Sequence, residues 1–420
     1  MEGKEIHADI LVVSSKYPPE YAGSGLRAHR TYKRLAGKFG YRYEVLASSV
    51  VFNRRERYFF EGVPVYRIAR KLFTNIKNSQ DVMKESLPEK IARKLKNGVN
   101  YLIEALLTWA YLFQHGSRFD LFHIFGNSGY VTPAVLTYAK IVDKPVIVEN
   151  CNVPKARKPF YEPLAVKMLF GKGLPHRSKI VCISRRLEDQ WRESAYKDDI
   201  NDIWCRPNPV DGSRFFIDGK NKSIHRRRLG LFDEEAVVLL NIGKMRPLKN
   251  QIFLIEVLKG LPREYKLVIA GPIVKSGPYL KEDSRYFKEI KARISGYGLE
   301  DRVRIENRFI DNVDEYMKAS DIYLLPSTIE ACATPVLEAL ACGLPVVAHR
   351  IEGVTTEWIK EGVNGYLAVL DADLFRQKII MARSLDKAGL KKGAAQIQAS
   401  SDAMDQKYAD LIEELVHIMR

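Results

Sequence analysis

A chain of 420 residues exceeds what a single hydrophobic core organises, so two domains of about 200 residues each are expected. With 46% hydrophobic and 28% charged residues and no repeat or low-complexity tract, it reads as globular rather than disordered. The net charge of +16 is lopsided, because residues 1–213 hold 35 of the 67 basic side chains but only 22 of the 51 acidic ones, or +13 of the total. That basic half suits an anionic membrane surface, nucleic acid or a phosphorylated acceptor, or else serves solubility alone. The five cysteines, Cys151, Cys182, Cys205, Cys332 and Cys342, are scattered without zinc or redox spacing, which fits a reducing cytosol. No window of about 20 apolar residues offers a membrane span, so any membrane attachment would be peripheral, at the inner face.

In chain order, the N-terminal apolar run is too short for a signal segment and reads as a first strand at 10–14. Further strands are predicted at 43–47, 63–68, 121–124, 145–148 and 179–183, with amphipathic helical stretches between several of them. The segment 207–215, PNPVDGSRF, leads into a polar, basic stretch at 218–230, DGKNKSIHRRRLG, read as a linker. A second series then runs through 236–242, 266–270, 303–306, 322–325 and 345–348. A final helix at 401–419 places Met404, Tyr408, Leu411, Ile412 and Leu415 on one stripe. The alternation predicts an α/β molecule of two Rossmann-like doubly wound domains, 1–213 with the C-terminal helix 401–420 packing back on it, and 214–400. Ligands of such sheets bind beyond the carboxyl ends of the strands.

Three loops in that position could carry chemistry. After the first strand, Gly23, Ser24 and Gly25 begin a G-x-G-x-x-A match ending at Ala28. The tight turn of a dinucleotide site is missing, since residues 16–22 with two prolines intervene, and the acid closing strand two is absent. What is left is a glycine loop entering a helix whose amides can meet an anion or sugar, or a plain connection. At 241–250, NIGKMRPLKN, Gly243 ends a strand while Lys244 and Lys249, with Arg246 near, gather cations suited to a diphosphate; the alternative is solvated surface lysine. At 330–338, EACATPVLE, Pro335 marks the first turn of a helix, so Glu330 lies in the loop before it and Glu338 one turn inside. Two carboxylates so placed could grip the diols of a hexose and of a ribose, with loop amides adding contacts. Helix-dipole and solvent roles are the bland counterparts.

Taken together, these loops, with VCIS at 181–184, PNPVD at 207–211, LVIAGP at 267–272, ASDIYLLPS at 319–327, ALACGLPVVA at 339–348 and EGVNGY at 361–366, resemble the GT-B retaining glycosyltransferases of the family-4 type. The resemblance covers nearly the whole chain. It implies two domains facing across a cleft, and transfer of a hexose-type sugar from a nucleoside-diphosphate sugar to a glycan or lipid-linked acceptor with retention of configuration, needing neither metal nor cofactor. It implies that Glu330, Lys249 and Lys244 act at the reacting centre, Glu330 on sugar hydroxyls and the lysines on the phosphates. Gly243, Cys332, Ala333, Thr334, Pro335 and Val336 would close on sugar and phosphate, Glu338 would hold the ribose, and Gly23, Ser24 and Gly25 would approach from the other domain.

The chain departs from the family at several points. Lys244 stands where an arginine is common, which keeps the charge but loses the fork. Phe125 replaces the second histidine of D-x-x-H-x-H, leaving His123 either catalytic or a core residue. Ala331, Cys332 and Ala333 replace Gly-Phe-Gly. Asp371-Ala-Asp373 imitates a metal motif but precedes a helix and reads as a capping turn. The stretch 88–113 reads either as a membrane-surface helix or as a helix packed on the first sheet. A glycoside hydrolase or phosphorylase using both glutamates would leave the lysines idle, and a nucleic-acid role resting on Arg226, Arg227 and Arg228 lacks interleaved aromatics.

Overall fold

The computed structural model describes residues 8–20, 23–49, 52–68, 72–73, 86–126, 131–150, 174–193, 203–219, 222–273 and 279–417. Cys151, residues 21–22 of the first loop, 220–221 of the expected linker and 418–419 of the last helix lie outside them. The chain forms two compact units, Met1–Pro207 with Ala403–Arg420, and Asn208–Asp402.

Unit 1 is built on an eight-stranded sheet in the order β3-β4-β2-β1-β5-β6-β7-β8. Its strands are β1 (Asp9–Ser14), β2 (Arg42–Ala47), β3 (Glu56–Phe60), β4 (Val63–Arg67), β5 (Leu121–Phe125), β6 (Val146–Asn150), β7 (Ser178–Cys182) and β8 (Ile203–Cys205), with helices α1 (Gly23–Phe39), α2 (Leu87–His115), α3 (Val131–Val142) and α4 (Arg185–Arg192). All pairings are parallel except β3 with β4. That hairpin turns at Glu61 and Gly62, both at positive φ of 46° and 81°. Central strands read as unbroken apolar runs because both faces are covered. On one face, Ile10, Val12, Val45, Leu121, Phe125 and Val181 pack with Ala28, Tyr32 and Leu35 of α1. Tyr408, Ala409, Ile412 and Leu415 of the last helix, α11 (Lys387–His417), join the same core, as the sequence reading expected.

Unit 2 has the parallel order β11-β10-β9-β12-β13-β14. The strands are β9 (Val237–Ile242), β10 (Tyr265–Ala270), β11 (Val303–Glu306), β12 (Ile322–Leu325), β13 (Val346–His349) and β14 (Gly365–Ala368). Between them run α5 (Lys222–Leu229), α6 (Gln251–Lys259), α7 (Leu280–Gly296), α8 (Val313–Ala319), α9 (Thr334–Ala341) and α10 (Ala372–Arg383). Strand alternation splits the core in two. Val238 and Leu240 face Val336, Leu337 and Leu340 of α9, while Val237 and Leu239 face Leu254 and Leu258 of α6 and Phe375 of α10. The order reverses between β9 and β12, and the doubly wound rule puts the ligand crevice beyond their carboxyl ends.

Three readings need amendment. The supposed linker contains helix α5, and Arg226 is buried within it. Its guanidinium donates to the carbonyls of Ala319 and Ala236 and to Asp321, closing off groups that would otherwise be orphaned. Gly23, Ser24 and Gly25 form the first turn of α1 rather than a loop before it. Strands β3, β8 and β14 were not expected.

Candidate active site

Hydrogen bonds tie β9 and the loop after it to β12 and the loop after it. The amide of Thr328 donates to the carbonyl of Leu248 at 3.0 Å, and Asn241 Nδ2 donates to the carbonyl of Leu324 at 2.9 Å. Pro247 opens a short 3-10 turn, Pro247–Lys249, closed by Asn250 at φ 55°. The turn aims Lys249 across the crevice, and its Nζ reaches Glu330 Oε1 at 2.5 Å. Glu330 is 8% exposed, so the pair is partly withdrawn from solvent, where an ion pair is felt more strongly than on an open surface. The Lys249 stem passes over Gly243: a Cβ there would stand 3.9 Å from Lys249 Cδ.

Gly243 is itself held tightly. Its amide donates to the carbonyl of Ala270, and a Cβ on Gly271, at φ +145°, would lie 2.1 Å from the Gly243 oxygen. Only glycine fits at 271. Lys244 branches from the same loop, half-buried, and Gln251 Nε2 donates to its carbonyl at 3.1 Å. Its charge bears on the buried carboxyl of Asp283, which burial pushes up and Arg246, at 3.7 Å, pulls back down. The guanidinium of Arg246 also lies 4.4 Å over the ring of Tyr279. Lys244 and Arg246 thus keep company with Asp283 on α7, while Lys249 joins Glu330.

Residues 331–333 lead into α9, whose N-cap is Ala333 and whose first turn contains Pro335 and no acid. An N-terminus without a side-chain cap leaves its positive end for another acceptor. Thr334 Oγ1 accepts from Asn208 Nδ2 at 2.6 Å, which ties the PNPVD segment to this turn. Asn208 was not singled out from sequence, although the motif containing it was. Cys332 is half-buried, Ala333 and Val336 are buried, and Glu338 sits half-buried one turn along. Burial raises the phenol of Tyr323, and Glu330 and Glu338 both add to that rise, so the two carboxylates bear on the same buried ring.

In unit 1, Gly25 packs where a Cβ would come 2.2 Å from the Lys16 carbonyl oxygen, whereas at Gly23 a Cβ would meet nothing within 4 Å. Ser24 is half-buried beside them. His123 is fully buried on the same face as Phe125, their rings stacked at 4.2 Å. Its Nδ1 lies 2.7 Å from Tyr32 Oη and its Nε2 lies 3.3 Å from Glu149. It is thus a buried histidine anchored through Nδ1, with Nε2 at ion-pair range of Glu149 but outside hydrogen-bond geometry. Glu149 is the centre of a charge cluster that sequence reasoning missed. It receives Arg206 at 2.6 Å, Arg27 at 2.8 Å and Tyr408 Oη at 2.7 Å. An acid closing the apolar run VIVEN was the available signal. Asp371 caps α10 by accepting from the Leu374 amide at 2.8 Å, as the capping reading required.

Residues 222–387 match the family described as glycosyl transferases group 1. Those residues all lie within unit 2. Among curated relatives, the D-inositol 3-phosphate glycosyltransferase of Geodermatophilus obscurus is 30% identical over 228 residues, 50% of this chain and 47% of the relative. The chain spans a little under half the length of the first curated relatives it matches. Among solved structures, HepE of Anabaena in complex with UDP and glucose aligns over 96% of this chain and 100% of its own, with TM-score 0.67 and 17% identity. Sucrose-phosphate synthase from Thermosynechococcus elongatus aligns over 97% and 100%, with TM-score 0.68 and 18% identity. At such identities the likeness is one of fold, and it is the GT-B type of Rossmann-like units that the sequence reading expected.

Proposed function

We propose that this chain transfers a hexose-type sugar from a nucleoside-diphosphate sugar to a glycan or lipid-linked acceptor, with retention of configuration. The contact between Lys249 and Glu330 carries the reading, because it joins a cation suited to phosphate and a carboxylate suited to sugar hydroxyls at the switch point of unit 2.

Breaking the bond from the anomeric carbon to phosphate builds negative charge on the leaving diphosphate and positive character on the sugar. Fixed cations meeting that charge lower the barrier without reorganising during the reaction. Lys249 takes the phosphate role, with Lys244 from the same loop, and the reading requires no bound metal. Glu330 gives one oxygen to Lys249, and a carboxylate has lone pairs on the other for a hydroxyl of the transferred sugar. Gly243 and the turn 332–336 form the floor for the phosphates, with Glu338 on the ribose. We assign Gly23, Ser24 and Gly25, in the first turn of α1 in unit 1, a donor-binding role as well. In retention, a donor phosphate oxygen takes the acceptor's proton on the face the leaving group occupies.

The HepE complex with UDP and glucose makes UDP the first nucleotide to try. Thermal melting with UDP, GDP, ADP and a nonspecific oligonucleotide tests the class: one nucleoside diphosphate should raise the transition and the oligonucleotide should not. A shift with the oligonucleotide alone would overturn the reading.

A further inference from the structure

Helix α2 carries its apolar side outward. Asn100, Glu104, Thr108 and Tyr111 are buried against the body of unit 1. Asn100 binds the backbone of residues 72 and 73, Glu104 accepts from Ser48 Oγ at 3.2 Å, and Tyr111 Oη donates to Glu44 at 3.1 Å. With Leu112 also buried and the Tyr111 ring stacked on Tyr66, the helix is docked through these polar groups and a small apolar contact. On the opposite side, Leu87, Ile91, Leu95, Val99, Leu102, Leu106 and Phe113 are all exposed, Leu95 at 66% and Leu106 at 61%. At about 100° per residue these positions fall on one stripe, roughly 39 Å long and diametrically opposite the buried polar face. No charge interrupts it. Leu72 and Phe73, held by Asn100, add exposed apolar surface nearby.

Beyond the exposed Glu89 of the capping box, the exposed lysines of α2 face no exposed acid on the helix. Lys90, Lys94 and Lys96 are exposed, whereas Glu104 is buried and Glu89 closes the capping box with Ser86. Lys94 and Lys96 flank the stripe on opposite sides. No helix among the described residues is long and apolar enough to cross a membrane. A straight apolar line edged with cations has the anatomy of a helix lying in a membrane interface. A second copy of this helix would bring Lys90, Lys94 and Lys96 against a single exposed acid, Glu89, while anionic headgroups complete the charge pattern.

We propose that α2 seats unit 1 on an anionic bilayer, with the stripe at the acyl boundary and Lys94 and Lys96 on lipid phosphates. This surface stands apart from the sugar chemistry proposed above and does not depend on it. The test is co-sedimentation of the full chain with vesicles of phosphatidylcholine alone and of phosphatidylcholine with phosphatidylglycerol. The chain should bind the anionic vesicles, and L102Q/L106Q should lower the partition coefficient at least about tenfold. K94E/K96E should weaken binding and flatten its salt dependence. Melting curves check that each variant folds, and Leu95→Gln replaces the double variant should that one melt early. Absence of vesicle binding, binding that ignores these substitutions, or dimerisation that L102Q/L106Q abolishes would each overturn the proposal.

Discussion

Lys249 and Glu330 meet at 2.5 Å, and with 26% of the lysine side chain exposed, water screens part of what the buried carboxylate gains. The value of the pair lies in placing a cation before a ligand arrives. Lys249→Ala should therefore lower kcat about 10²–10³-fold while leaving the unfolding free energy within about 1 kcal/mol of the parent. Steady-state kinetics with the donor identified by melting, alongside urea unfolding, measures both; near-normal turnover would remove the phosphate role. These two residues were legible in the sequence because each follows a strand at the crevice end. Glu149, Arg27 and Arg206 were not, since residues far apart in the chain gave no spacing to read. His123 stood open between two roles, and the structure shows it fully buried with Tyr32 on Nδ1 and the Glu149 carboxylate near Nε2.

Among the elements, the apolar strands were read readily because a sheet covered on both faces has to be apolar on both. Short, half-exposed β3 lacked that signature, and its burial alternates along the strand. Composition misled at α5, where an arginine run reads as solvated although Arg226 turns inward to bind carbonyls. Periodicity identified α2 as an amphipathic helix but could not say which face the protein keeps, because the inner face is fixed by distant partners such as Ser48 and Glu44. Close packing of two turns carries a prediction of its own. Gly271→Ala places a methyl group against the Gly243 carbonyl and forces the β9 loop outward, taking Lys244 and Lys249 with it. With a positioned cation lost, the nucleotide-induced melting shift should fall to about half or less. A full shift in this variant would mean the loop does not form the donor site.

For the whole molecule, unit 1 should be acid-sensitive through its buried charge cluster. Burial lowers the pKa of His123 below its ordinary value of about 6.5, so the unfolded chain takes that proton first. The stability it provides is present above about pH 6.5 and is lost as pH falls toward the folded value. Burial alone would raise Glu149, but the guanidiniums of Arg206 and Arg27 outweigh it and hold the carboxyl well below the usual range. Its contribution is intact above about pH 4.3 and is lost as pH drops through the folded value. Melting followed from pH 8 to pH 4 should show a decline beginning near pH 6.5 and continuing into the carboxylate range. An unchanging transition over that span would contradict the assignment.

Helix α11 begins in unit 2 and ends in unit 1, where Tyr408 binds Glu149 and Asp405 takes Arg34 and Lys38. A ribosome makes residues 403–417 only after every residue of unit 2. Unit 2 is contiguous and can close as soon as it emerges, whereas unit 1, translated first, must wait with its core open and its arginines facing Glu149 without Tyr408. The usual order of domains folding from the N-terminus is thereby reversed. A chain stopped at residue 402 should contain a protease-resistant unit 2 beside a digestible unit 1.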